Sequence, residues 1–90
     1  MSPPQIAKFL ENSPEWTSID SRIERVVRFP TYLEGVDFVR AIAEMAETIN
    51  HHPDLILSWR KVTIQLTTHS ENGVTQRDLD MAGKINTLVD

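Results

Sequence analysis

The sequence predicts an α+β fold, in which three helices pack on one face of a small four-stranded antiparallel sheet. Three observations predict it. Apolar residues recur at helical spacing in three segments, and they alternate with polar residues in the shorter segments between them. Turn-forming residues, namely prolines and an Asn-Gly pair, separate the segments. The order of the segments is helix, two strands, helix, two strands, helix. Ninety residues suffice for a single domain spanning residues 1–90.

The first third of the chain predicts a helix and two short strands. A helix is expected over about residues 3–11, with Ser2 as its N-cap and proline in its first turn. Residues 18–21 are rich in serine and aspartate, which is typical of a turn or a brief strand. Residues 23–29 alternate as a strand does, and Pro30 ends that strand.

The longest predicted helix spans residues 31–50. Thr31 and Glu34 have the spacing of a capping box, in which each side chain bonds the other residue's backbone N–H. Apolar residues then recur at intervals of four and three, which gives a broad face for packing on a sheet. These residues are Phe38, Ile42, Met45 and Ile49.

The last part of the chain predicts a hairpin and a helix. Residues 55–59 and 62–68 read as strands, and the short link through Arg60 and Lys61 makes them an antiparallel pair. A loop follows at residues 71–73, and a helix is expected over residues 75–89. The sheet should keep one polar face and open edges, which leave room for a partner subunit.

The composition of the chain argues against several classes of function. A net charge of −4 argues against nucleic-acid binding, which depends on neutralising phosphates. The chain has no cysteine, so disulfides and thiol chemistry are excluded, and a reducing compartment suits it. No apolar run is long enough to span a membrane, and the first residues lack the pattern of a signal peptide. We expect a soluble, cytoplasmic protein.

All three histidines, His51, His52 and His69, lie within 19 residues of one another. Imidazole changes charge near neutral pH, so the cluster indicates proton transfer or metal binding. Pro53 should end the long helix at His52, where the negative end of the helix dipole favours an imidazolium. If the strand before His69 returns it to the helix end, the three rings converge on one pocket. Three interpretations remain open: acid–base groups for a polar heterocycle, structural residues, and a metal site, for which adjacent histidines are an awkward ligand pair.

Other side chains have both a structural and a functional interpretation. Asp78 either caps the last helix or anchors a histidine or the loop after His69. Glu47 precedes His51 by four residues, so it either accepts a hydrogen bond from that ring or is a solvated charge. Trp16 and Trp59 either stack on a flat ligand or belong to the core or an interface. Hydroxyls and backbone groups beside His69 are available to a ligand, or reflect strand propensity, at Thr67, Thr68 and Ser70.

Read in order, the polar residues and one tryptophan form a long motif. It is Glu47-x3-His51-His52-Pro53-x5-Trp59-x9-His69-x8-Asp78. This motif resembles that of the pterin-4a-carbinolamine dehydratase family, which is also known for its dimerisation-cofactor members. The resemblance extends from Trp16 to the last helix, and further matches are Arg25-x3-Phe29, Gly73 and Thr75. Asn50 departs from members that carry aspartate there.

The resemblance implies an enzyme that dehydrates 4a-hydroxytetrahydropterin to quinonoid dihydropterin and water, and so recycles the cofactor of aromatic amino acid hydroxylases. It implies a four-stranded sheet with three helices, a homodimer or homotetramer, a pterin as the small-molecule partner, and neither a redox cofactor nor a metal. The alternative is a non-catalytic interaction, assembly or coactivator module on the same scaffold. The presence of all three histidines favours the enzyme over the interaction module. A zinc hydrolase is a third hypothesis.

The resemblance also implies roles for individual residues. His52 and His69 are expected to be the acid–base pair, and His51 is expected to support or orient the pterin. Glu47 and Asp78 would support the histidines. Backbone groups near these residues would hold the pyrimidine edge of the ligand. The expected substrate-binding residues are His51, His52, Pro53, Thr68, His69, Ser70, Glu71 and Trp16.

Overall fold

The computed structural model describes residues 3–89 and has the predicted order of elements, so the α+β prediction is confirmed. The predicted cap Ser2 lies outside the described residues. A 3-10 helix, His69–Glu71, precedes the last α-helix. The bounds of the other elements are α1 Pro3–Asn12, β1 Thr17–Ile19, β2 Arg22–Arg28, α2 Tyr32–Ile49, β3 Asp54–Ser58, β4 Lys61–Leu66 and α3 Gln76–Val89.

The four strands form one antiparallel sheet in the order β1-β2-β4-β3. Ser58 pairs with Lys61, so the predicted hairpin turns through Trp59 and Arg60, one residue earlier than expected. The exposed Trp59 ring lies 5.5 Å from the Arg60 guanidinium carbon. Strand β4 ends at Leu66 rather than at residue 68.

The core lies between the helices and one face of the sheet. Alternate residues of β2 and β4 point into it, as the period of a strand requires. The same face of β2 carries a charged residue, Arg25, whose guanidinium donates to the Asn86 side-chain oxygen at 2.5 Å. The apolar residues that the two strands bury are Ile23, Val27, Val62, Ile64 and Leu66.

Both ends of α2 are fixed by local hydrogen bonds. The Thr31 hydroxyl accepts from the Glu34 N–H at 3.3 Å and donates to the Glu34 carboxylate at 2.8 Å, so the carboxylate bonds the hydroxyl instead of the backbone. At the other end Asn50 adopts the left-handed conformation, with φ 54°, and its N–H donates to the Ala46 carbonyl. An asparagine tolerates this conformation, and it ends the helix directly before His51.

Candidate functional site

The His51 side chain points into the protein where the chain leaves α2. Only 8% of the residue is exposed, and its Nε2 lies 2.6 Å from Oδ1 of Asp78. An ionised carboxylate can only accept, so Nε2 carries the hydrogen and donates it to Asp78. This bond joins the end of α2 to the start of α3.

Asp78 is fully buried and accepts three hydrogen bonds. Besides His51, its other oxygen accepts from the Thr68 hydroxyl and from the Thr75 N–H, each at 2.8 Å. The bond from Thr75 caps α3, and the bond from His51 anchors a histidine, so Asp78 has both of the roles considered for it. A buried carboxylate needs such partners, because an unpaired charge in the interior is costly. Asp78 therefore fixes three segments: the ends of α2 and β4 and the start of α3.

The His52 side chain, in contrast, is half exposed. Its Nε2 lies 2.5 Å from a carboxylate oxygen of Glu47, whose own side chain is 78% exposed. Of the two alternatives considered for Glu47, the bond to His51 is not formed, and the exposed carboxylate bonds His52 instead. The left-handed turn at Asn50 breaks the helical spacing, so that His51 turns inward to Asp78 and His52 is the ring that reaches Glu47.

The exposed His69 lies on the 3-10 helix and lines a cleft of about 250 Å³, which we call the His69 cleft. Within the described part of the chain, its ring makes no hydrogen bond or ion pair. Both ring nitrogens are therefore available to a bound molecule. The other lining residues are Ser21, Arg22, Asp54, Gln65, Thr67 and Asn72.

The strand register brings the histidines to one end of the sheet. Asp54 pairs with Gln65, so His52, two residues before Asp54, and His69, four residues after Gln65, both leave the same end of the β3–β4 hairpin. The rings do not share a pocket, however. His51 lines a separate cleft of about 180 Å³ between α2 and α3. The prediction that three rings converge on one pocket is wrong, because the bond to Asp78 turns His51 away.

Two of the predicted ligand contacts, Trp16 and Thr68, are buried and bonded within the protein. Trp16 is only 2% exposed, and its indole N–H donates to the Asn86 side chain at 2.9 Å, so it is a core residue. Thr68 is buried, and its hydroxyl bonds Asp78 while its N–H donates to the Gly73 carbonyl. Neither residue has a polar hydrogen left for a ligand.

The remaining predicted contacts are accessible. Ser70 and Glu71 are exposed and line a neighbouring cleft, while Pro53 is half-buried. Sequence reasoning missed Arg22 and Asp54, which line the His69 cleft. Their signal was present, because both lie at the ends of predicted strands near the histidines, but it required the pairing of β2 with β4.

Among residues 3–89, no helix is long and apolar enough to cross a membrane. Nor does any group of three or more histidine, aspartate and glutamate side chains, among the residues described, have the arrangement of a metal site.

Comparison with known families identifies the fold's relatives. A family model described as pterin 4 alpha carbinolamine dehydratase matches residues 1–88. The chain belongs to the pterin-4a-carbinolamine dehydratase family. The resemblance drawn from the histidine motif is thereby confirmed.

Individual relatives in this pterin-4a-carbinolamine dehydratase family are similar over nearly their whole length. A protein of Mycobacterium avium (strain 104) is 47% identical over 94% of this chain and 90% of its own. One of Picosynechococcus is 43% identical over 93% of this chain and 91% of its own. Both are provisionally named pterin-4-alpha-carbinolamine dehydratase.

Two solved structures share the family fold. A transcriptional coactivator/pterin dehydratase from Brucella melitensis superposes with a TM-score of 0.93 at 30% identity, covering 100% of this chain and 98% of its own. A pterin dehydratase-like protein identified as a RuBisCO assembly factor in the alpha-carboxysome has a TM-score of 0.67 at 17% identity, covering 82% and 86%. The second similarity concerns the fold alone.

Proposed function

We propose that this protein is a hydro-lyase that dehydrates 4a-hydroxytetrahydrobiopterin and so recycles the cofactor of aromatic amino acid hydroxylases. One observation supports this most strongly: the His69 ring has no partner among the described residues and lines an open cleft. Membership of the family supplies the substrate class, and the family's three motif histidines are all present.

The reaction needs one proton donor and one proton acceptor. The C4a–O bond breaks, and the hydroxyl leaves as water with a proton from the donor. A pterin nitrogen gives its proton to the acceptor, and the electron pair of that N–H bond forms the new C=N bond. No net proton is consumed, so two imidazoles in opposite protonation states suffice. Each positioned group of this kind contributes roughly 10²- to 10⁴-fold in rate.

His52 and His69 are the pair that we assign to these steps. Both are exposed, and both leave the same end of the β3–β4 hairpin. The Glu47 carboxylate accepts from Nε2 of His52 at 2.5 Å, which holds the hydrogen there and leaves the lone pair on Nδ1. His52 can therefore exchange a proton through Nδ1 while Glu47 fixes its ring.

His51 has a positioning role in this scheme. Its bond to the buried Asp78 fixes the backbone between α2 and β3, from which His52 and Pro53 project. Asp78 supports the site through this bond, and Glu47 supports it through His52. Backbone groups near Ser70 and Glu71, together with the Pro53 carbonyl, would hold the pyrimidine edge of the pterin.

The test is a stopped-flow ultraviolet assay of 4a-hydroxytetrahydrobiopterin dehydration. We expect the wild type to accelerate the reaction over buffer, and His52→Ala and His69→Ala to lose roughly 10²-fold or more of that acceleration. Asp37→Ala is the control, because Asp37 is an exposed residue of α2 far along the helix from His51.

The variants separate chemistry from folding. His52 and His69 are exposed, so circular dichroism should show the wild-type fold in both variants. If both folded variants retain the wild-type rate, the assignment of the acid–base pair is wrong. If the folded wild type does not accelerate the reaction at all, the enzyme proposal is wrong.

An interaction module is the second candidate function. The relative from Brucella is named both a transcriptional coactivator and a pterin dehydratase. In this chain α2 exposes apolar side chains, including Leu33 at 71% and Tyr32 at 47%, which is typical of a surface that contacts protein. A folded wild type with no dehydratase activity would favour this function.

The oligomeric state and location belong to the same proposal. The exposed apolar residues of α2 support a homodimer or homotetramer, which sedimentation equilibrium would test. The absence of cysteine fits a reducing compartment, and we place the reaction in the cytoplasm. Recovery of the protein in an oxidising compartment would contradict that location.

A further inference from the structure

The loop after His69 contains an asparagine followed by a glycine, Asn72 and Gly73. Asn72 is exposed and ends the 3-10 helix in the left-handed conformation, with φ 52°, which asparagine tolerates. The pair suits a tight loop, but asparagine is also a thermolabile residue. Serine, histidine and threonine follow the other asparagines, which are Asn12, Asn50 and Asn86.

The residue after an asparagine matters because its backbone nitrogen is a nucleophile. This nitrogen attacks the side-chain amide carbon, a C–N bond forms, and ammonia leaves with the proton of the backbone N–H. Water then adds to either carbonyl carbon of the resulting succinimide ring, and the ring C–N bond at that carbon breaks. One opening gives aspartate, and the other gives isoaspartate, whose main chain runs through the former side chain. Glycine has no Cβ, so it obstructs the attack least.

The structure leaves both reacting groups accessible. Within the described residues, the Asn72 side chain makes no hydrogen bond. The Gly73 N–H donates to the Thr68 carbonyl at 3.4 Å, which is longer than an ordinary hydrogen bond. The N–H that follows Asn12, in contrast, donates to the Phe9 carbonyl at 2.9 Å. Exposed loops open locally at little cost in free energy, so the Gly73 nitrogen can reach the Asn72 side chain.

Deamidation at this position would change the loop that carries His69. Asn72 lines the His69 cleft, and its N–H donates to the His69 carbonyl at 3.2 Å, so either product adds a carboxylate beside that residue. Isoaspartate also lengthens the main chain by one carbon atom before Gly73. The Gly73 carbonyl accepts from the Thr68 N–H at 2.9 Å, so two bonds join these residues. A longer chain cannot keep both bonds in their present geometry.

We propose that Asn72 is a site of spontaneous deamidation, and that the isoaspartate product releases the backbone bridge between Thr68 and Gly73. The modification consumes only water and releases ammonia. It acts on the chain whether or not the protein is a dehydratase. The geometry around His69 would thereby depend on the age of the protein.

Peptide mass spectrometry of wild-type protein held in mildly alkaline buffer tests the site, with isoaspartate detected by a protein isoaspartyl methyltransferase. The Asn72 amide should be lost about 10-fold faster than the Asn12 amide. Gly73→Ala is the matched variant, because a Cβ there meets nothing within 4 Å and Gly73 does not have a positive φ. This variant should fold and lose the Asn72 amide about 10-fold more slowly than the wild type, since the new Cβ hinders the attack.

Hydrogen exchange of the Thr68 amide, measured by NMR, tests the effect on the loop. In the chromatographically separated isoaspartate form, this amide should exchange about 10-fold faster than in the unmodified protein, because the bridge that protects it is released. Asn72→Asp is the control, since it adds the carboxylate without lengthening the main chain. Its Thr68 amide should exchange at the wild-type rate.

The two parts of the proposal fail separately. If the Asn72 amide survives as long as that of Asn12, or if Gly73→Ala loses it as fast as the wild type, the deamidation site is overturned. If the isoaspartate form exchanges its Thr68 amide at the wild-type rate, the release of the bridge is overturned. Neither result bears on the dehydratase proposal, which the stopped-flow assay tests.

Discussion

Replacing the buried carboxylate of Asp78 by an amide should destabilise the fold more than any exposed change on the same helix. Asp78→Asn keeps the shape of the side chain but exchanges one acceptor oxygen for an NH₂ donor. Three donors face the carboxylate, from His51, Thr68 and Thr75, at 2.6, 2.8 and 2.8 Å. If the NH₂ replaces the oxygen beside Thr75, it meets the fixed Thr75 N–H donor; if it replaces the oxygen beside His51, the ring can accept only after its hydrogen moves from Nε2 to Nδ1.

The expected loss of unfolding free energy follows from the three hydrogen bonds that Asp78 accepts. Hydrogen bonds to a charged group contribute about 1.5–3 kcal/mol, and a buried donor left without an acceptor costs about 1–3 kcal/mol. The Thr68 hydroxyl keeps a second partner, the Thr75 hydroxyl at 2.7 Å, which reduces the loss. We therefore expect Asp78→Asn to lower the free energy of unfolding by about 3 kcal/mol. For a domain of this size that corresponds to a fall in Tm of roughly 12–24 °C.

Urea unfolding followed by circular dichroism measures this quantity, and Asp80→Asn is the matched control. Asp80 lies on the same helix, is exposed, and accepts only from the Gln76 side chain at 2.8 Å. Its replacement should change the free energy of unfolding by less than about 0.5 kcal/mol. A difference between the two variants below about 0.5 kcal/mol would refute the reasoning, since the buried carboxylate would then contribute no more than an exposed one.

Three further substitutions test stability away from the histidines, and urea unfolding measures the effect of each. Gly83→Ala should raise the free energy of unfolding by about 0.5–1 kcal/mol, because an added Cβ meets nothing within 4 Å and alanine favours the helix. Gly35→Ala should gain less, since its Cβ would lie 3.2 Å from a methyl carbon of Leu57, and an equal gain at both sites would contradict this. Asn86→Ala should lower the free energy of unfolding by about 2–3 kcal/mol, because it removes an acceptor shared by the Trp16 indole and the buried Arg25 guanidinium. A loss below ~0.5 kcal/mol would contradict this prediction.

The sequence predicted those features that depend on local spacing. The apolar periods gave the order of the elements, and Thr31 and Glu34 marked the start of α2. The three histidines were identified because all of them lie within one 19-residue segment, which is read directly from the sequence. These predictions needed no knowledge of which segments lie together in space.

The pairing of the side chains could not be predicted in the same way. Helical spacing made His51 the ring that Glu47 could bond, but the left-handed turn at Asn50 places His52 beside Glu47. The partner of His51 is Asp78, 27 residues away, and the partner of Trp16 is Asn86, 70 residues away. Such contacts depend on how α3 packs against the sheet, which local spacing does not specify.

The His69 cleft was missed for a related reason. Arg22 and Asp54 belong to strands that do not pair with each other, since β4 lies between β2 and β3. Only the register of both pairs with β4 brings them to the same end of the sheet as His69. A prediction of this cleft would have required the strand order, and consecutive hairpins alone do not give it.

The rate of 4a-hydroxytetrahydrobiopterin dehydration at increasing concentrations of the wild-type protein tests most directly whether this chain is a catalyst. We predict a rate that rises in proportion to protein concentration. With saturating substrate, this rate should exceed the buffer rate by roughly 10²-fold or more. A folded protein that leaves the buffer rate unchanged at every concentration would contradict the claim.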